Sequence, residues 1–133
     1  MDMQINVAAA LAAAVLGFVI GAVWYSPLLF AKVWAREAGV DDEKMRQGNM
    51  ALVFGLAFVA IVVGAFNLAA FIGPKATLAF GTFAGFATGL GWVAMALAVL
   101  YLFERRSLKL WLVNSGYMVL MFTAMGALIG AWR

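Results

Sequence analysis

MALVFGLAFVAIVVGAFNLAAFI, residues 50–72, contains no charged side chain. A helix rises about 1.5 Å per residue, so this run reaches about 34 Å. That is enough to cross a hydrocarbon core about 30 Å thick. Its apolar residues form a continuous block without the alternation of a barrel strand. A backbone in lipid must also satisfy its hydrogen bonds within the segment. The stretch therefore reads as a transmembrane α-helix.

The flanking sequence repeats the pattern. Val7 to Leu29, Ala76 to Phe103 and Leu108 to Trp132 are likewise apolar, separated by clusters of charge. The polar stretch from Lys32 to Asn49 follows the first run, and Glu104, Arg105, Arg106 and Lys109 separate the third from the fourth. Gly73-Pro74-Lys75 reads as a tight turn between the second and third. The chain of 133 residues is 67% hydrophobic and 11% charged, with a mean hydropathy of +1.02. Soluble chains average about 45–50% apolar and about 25% charged. The expected fold is all-α: a single transmembrane domain over 1–133, with four spans at about 7–29, 50–72, 76–103 and 108–132 in an up-down bundle.

The loop at 30–49 carries its own signal. Phe30, Val33, Trp34 and Ala38 share a helical face, with Lys32 and Arg36 off it. This fits a short amphipathic helix on the membrane surface; it also fits a continuation of the first span broken near Pro27. Gly39 ends the element, and Asp41 or Asp42 caps a new helix with Glu43 in its first turn. These three acids read as a helix start rather than a cation site.

Direction follows from the basic residues. Lys32, Arg36, Lys44, Arg46, Arg105, Arg106 and Lys109 lie on one side of the proposed membrane, and only Lys75 and Arg133 on the other. The positive-inside rule puts the seven in the cytoplasm and both termini outside. Met1-Asp2-Met3-Gln4 lacks the basic start of a signal peptide, so the first span reads as retained. Trp24, Tyr25, Trp34, Trp111 and Trp132 fall at interfacial depths. Trp92 falls mid-span, where a buried indole would require a hydrogen-bond acceptor.

Packing signals are abundant. Gly81, Gly85 and Gly89 recur every four residues on the third span, Gly17 and Gly21 on the first, and Gly126 and Gly130 on the fourth. Small residues at this spacing let backbones approach closely in lipid. The spacing fits a seam within the chain or one between subunits. Ala8–Ala10 and Ala12–Ala14 make the first span narrow, as suits a helix surrounded by protein.

Chemistry is sparse. There is no histidine and no cysteine, so thiol chemistry, disulfides and histidine acid–base catalysis are excluded. No ionisable residue lies inside a span except at its ends, whereas proton-coupled transporters normally keep one within the membrane. No activated nucleophile or acid–base pair is evident, so no enzyme, cofactor or metal is expected. The basic residues fit headgroups rather than nucleic acid. The uncharged polar groups divide in two. Asn67 and Thr82 flank the Gly73-Pro74 turn at similar distances and are expected to hydrogen-bond across it. Tyr25, Ser26, Asn114, Ser115 and Tyr117 gather at the cytoplasmic ends of the first and fourth spans, as interhelical bonds or as a vestibule or lipid-contacting cluster. Pro27 is expected to break the first helix near Val23, with the Ser26 hydroxyl satisfying a freed carbonyl.

At Val23-Trp24-Tyr25-Ser26-Pro27-Leu28-Leu29-Phe30, followed by Lys32 and Trp34, the chain resembles small bacterial four-span membrane proteins catalogued as a domain of unknown function. The resemblance covers essentially the whole chain and implies a bacterial inner-membrane location without supplying an activity. Two functional expectations follow from the residues. One is an accessory membrane protein, packing through its glycine faces as a homo-oligomer or within a larger membrane complex and surrounded by membrane lipids. The other is a homo-oligomeric channel or facilitator for a small solute, lined by the glycine-rich third span.

Overall fold

The computed structural model describes residues 5–40, 50–73 and 77–132. The expected helix start at Asp41–Glu43 and the Pro74–Lys75 part of the turn lie outside them. Five helices are present among the described residues: α1 Val7–Trp24, α2 Ala31–Ala38, α3 Met50–Ile72, α4 Leu78–Glu104 and α5 Leu108–Ala131. All but α2 are long and apolar enough to cross a membrane. The chain is an all-α, four-span, multi-pass membrane protein.

Local chemistry sets the boundaries. The Asn6 side chain accepts the Ala9 N–H at the start of α1, Thr77 accepts from Phe80 before α4, and Ser107 accepts from Leu110 before α5. Each satisfies one of the donors a helix start leaves open. At the other end of α1, Pro27 offers no N–H to the Val23 carbonyl four residues back. The Ser26 hydroxyl donates to that carbonyl instead, at 2.6 Å. The α-helix accordingly stops at Trp24, five residues before the end of the apolar run, and the chain turns into α2. Gly39 closes α2 in the left-handed region, with φ 73°.

One irregularity interrupts α4. Leu78–Ala87 and Met95–Glu104 are α-helical, but Thr88–Ala94 between them is a π-helix. In a π turn hydrogen bonds run from i to i+5, so residues five apart share a face. Gly89 and Ala94 are both buried against the bundle. Trp92 lies opposite and is 76% exposed. The mid-span indole therefore faces outward from the bundle.

The helices are arranged around α5. It packs most extensively against α4, next against α1, and also touches α2 and α3. Gly81 faces Gly126 and Gly130 while Gly89 faces Val119, so α4 and α5 are antiparallel. Gly17 faces Met121 and Met125 while Gly21 faces Tyr117, so α1 and α5 are antiparallel too. Phe18 of α1 meets the edges of Phe54 and Phe58 of α3.

Packing is uneven along the membrane normal. The core joins Ala9, Ala10, Ala13 and Ala14 of α1, Ala65, Leu68, Ala69 and Ile72 of α3, Ala84 of α4, and Met121, Met125 and Ile129 of α5. It occupies the half nearest Asn6 and Gly73, called here the terminal end. Toward the opposite, basic end, residues 51–57 of α3 are all exposed, as are Val99, Leu100, Leu102 and Phe103 of α4. The apolar core is concentrated toward the terminal end, and at the basic end α3 and the end of α4 keep their apolar side chains exposed.

Candidate functional site

The seven expected packing glycines are all used within the chain. A Cβ built on Gly81 would collide with the Gly126 carbonyl and come 2.9 Å from the Gly130 Cα. On Gly85 it would collide with the Phe122 carbonyl, with the Thr123 Cα at 2.9 Å, and on Gly89 it would lie 2.7 Å from the Val119 Cα. These are backbone contacts, so α4 and α5 touch main chain to main chain. On α1, Gly17 and Gly21 give room to the side chains of Met121, Met125 and Tyr117.

Asn67 and Thr82 do not bond each other. Asn67 Nδ2 donates to the Val63 carbonyl at 2.8 Å, and Thr82 Oγ1 to the Leu78 carbonyl at 2.8 Å. Each uses its own helix, where the i−4 carbonyl is within reach without any interhelical alignment. Thr88 does the same toward Ala84.

At the basic end the polar groups form a network. Tyr25 Oη donates to Asn114 Oδ1 at 2.6 Å, and Asn114 Nδ2 donates to Tyr101 Oη at 2.7 Å. The amide of Asn114 thus joins the end of α1 to the end of α4 through α5. Tyr117 stands edge-on to Tyr25, ring centroids 5.5 Å apart, and donates its hydroxyl to the Gly17 carbonyl. Tyr25, Asn114 and Tyr117 come together as grouped from the sequence. Ser26 instead turns back to Val23, and Tyr101 is an addition. Its signal was its place just before the Glu104–Ser107 turn, within an aromatic side chain's reach of Asn114.

Two tryptophans reinforce the same end. Trp24 Nε1 donates to the Val113 carbonyl and Trp111 Nε1 to the Ala94 carbonyl, each at 2.9 Å. Between them, the surfaces of α1, α4 and α5 enclose an open apolar groove of about 550 Å³. Ser115 lies in its lining, 3% exposed, and its hydroxyl has no hydrogen-bond partner among the described residues.

The α2 helix is tied to the start of α5. The Ser107 hydroxyl donates to the Glu37 carboxylate and, with Arg36 and Lys109 nearby, holds that carboxyl below its ordinary range. Folding therefore favours the ionised form, and its contribution is complete above the usual glutamate value of about 4.3. It is lost as pH falls through the lowered folded value. Acidification below the ordinary glutamate range is expected to loosen α2 and leave the spans in place. Trp34 fluorescence, isolated by difference against Trp34→Phe, reads the change, and Glu37→Gln should abolish its pH dependence.

Among the described residues no cluster of three or more Asp, Glu, His or Cys could hold a metal. The polar network consists of phenols, an amide and a hydroxyl, groups suited to hydrogen bonding and to fixing helices. No curated protein and no solved structure matches the chain significantly. A family model does match, over residues 8–130, nearly the whole sequence: the chain belongs to DUF1761, a family of proteins of unknown function.

Proposed function

We propose that this protein is a non-catalytic accessory component of a bacterial inner membrane, packing through the outward face of α4 onto a transmembrane helix of another polypeptide. The observation that carries the reading is Trp92. Midway along a span, the side chain is 76% exposed and its indole N–H has no acceptor among the described residues. Hydrocarbon offers none, and an unpaired polar group there costs several kcal/mol on the order of its hydration. Trp24 and Trp111 resolve the same difficulty by donating to a carbonyl of a neighbouring helix. A partner helix beside α4 would do so for Trp92, with exposed Gly91 allowing close approach.

The glycine faces no longer serve this role, because α4 and α5 consume them against each other. For the same reason Gly81, Gly85 and Gly89 cannot line a pore, and no observation favours the channel reading. The seven-to-two distribution of basic residues supports an orientation with both termini on the outer face.

The native mass after gentle extraction with lipids retained tests the proposal. The wild type should migrate as part of a larger assembly containing another chain. Trp92→Ala should release it as a 14.2 kDa monomer, and Trp92→Phe, which keeps the ring and removes the N–H, should weaken the assembly about fivefold. A wild-type monomer under these conditions would refute the reading.

A further inference from the structure

The groove beside Ser115 is independent of Trp92 and has its own chemistry. Its walls are apolar, and the ring N–H groups of Trp24 and Trp111 are already bonded to Val113 and Ala94. Thr123 at its far end donates to the Val119 carbonyl. Ser115 is left as a nearly fully buried hydroxyl without a partner. Such groups in native proteins ordinarily have one, and its absence among the described residues points to an acceptor supplied from outside.

Depth and charge identify the supplier. From Leu112 to Thr123 the groove follows α5 for about 16 Å at 1.5 Å per residue. That is about half of a hydrocarbon core of about 30 Å, the depth of one leaflet. The volume of about 550 Å³ lies in the range of small-ligand sites. The groove starts at the basic end. Lys109 lies two turns before Ser115 on α5, and Arg105 and Arg106 occupy the adjoining turn. Lys32 and Arg36 on α2 raise the positive charge there, offset among the described residues by Glu37 and Glu104. An apolar slot one leaflet deep, with an orphan hydroxyl partway down and excess cations at its mouth, matches a lipid with an acyl chain, an ester carbonyl and a negative headgroup.

We propose that this groove is a binding site for one acyl chain of an anionic glycerophospholipid, whose ester carbonyl accepts the Ser115 hydroxyl and whose phosphate meets Lys109. The acyl chain lies along α5 between Trp24, whose ring packs directly on Gly116, and Trp111.

Native mass spectrometry of the delipidated protein, titrated with phosphatidylglycerol or with phosphatidylcholine of the same chains, tests the site. The wild type should retain one phosphatidylglycerol per chain and hold it more tightly than phosphatidylcholine. Ser115→Ala, which preserves the packing, should weaken retention about fivefold. Lys109→Gln should reduce the preference for phosphatidylglycerol by about as much. Leu120→Trp, at an exposed lining position, should fill the groove and abolish retention. Equal retention by the wild type and Leu120→Trp, an unchanged affinity in Ser115→Ala, indifference to headgroup charge, or a second copy of the chain in place of lipid would each overturn the proposal.

Discussion

Replacing Gly85 by alanine is expected to destabilise the bundle by about 3 kcal/mol or more, the upper range for overpacking a well-packed contact. One added methyl group would collide with the Phe122 carbonyl and lie 2.9 Å from the Thr123 Cα. Those atoms belong to the α5 backbone and cannot swing aside as a side chain would. Relief requires separating α4 from α5, which also opens the contacts at Gly81 and Gly89. Two controls isolate the effect. Gly91→Ala meets nothing within 4 Å, and Gly64→Ala meets only Phe122 ring atoms at 3.7 Å. Both should change stability by less than about 1 kcal/mol, within the helix-propensity difference between the two residues. Unfolding in a graded detergent titration ranks the three. A Gly85→Ala protein as stable as the Gly91→Ala control would mean that the seam is not where the structure has it.

Asn114→Leu is expected to have the next largest effect, about 2 kcal/mol. It leaves the Tyr25 hydroxyl without its acceptor and the Tyr101 oxygen without its donor. Interhelical hydrogen bonds in membranes average about 0.6 kcal/mol and reach about 1.7, and two are lost at one residue. Double-mutant cycles with Tyr25→Phe and Tyr101→Phe separate the arms. Each tyrosine variant should be costly in the wild-type background and close to neutral beside Asn114→Leu. Full additivity would show that the amide does not connect the two rings.

What the sequence disclosed divides along a physical line. Distance along the helix axis is legible, because each residue adds a fixed rise. The four spans and the glycine ladders therefore stand in the sequence, as does the break at Pro27 with Ser26 serving Val23. Rotation about the axis is not legible in a helix apolar all round, since lipid and protein select the same side chains. Asn67 and Thr82 were matched in depth and still faced their own carbonyls. Trp92 was placed at the right depth, and only the structure shows that its face is turned outward. The π turn that sets its face has no composition of its own beyond glycines at 89 and 91. Tyr101 lacked only a rotational coordinate to join Asn114. The glycine spacing announced a close crossing, and only the three-dimensional pairing of 81, 85 and 89 with 126 and 130 named the partner helix.

The central position of α5 also governs the order of biosynthesis. Of the four spans it is the last to leave the ribosome, and at about 5–20 residues per second it follows α1 by on the order of ten seconds. Until α5 arrives, first α1 and later α4 lack the helix against which their glycines fit. The earlier spans enter the bilayer with the α1–α3 contact available to them, and the glycine notches stay open to lipid. Assembly is therefore post-insertional by construction, with the final helix acting as the keystone that draws the others together.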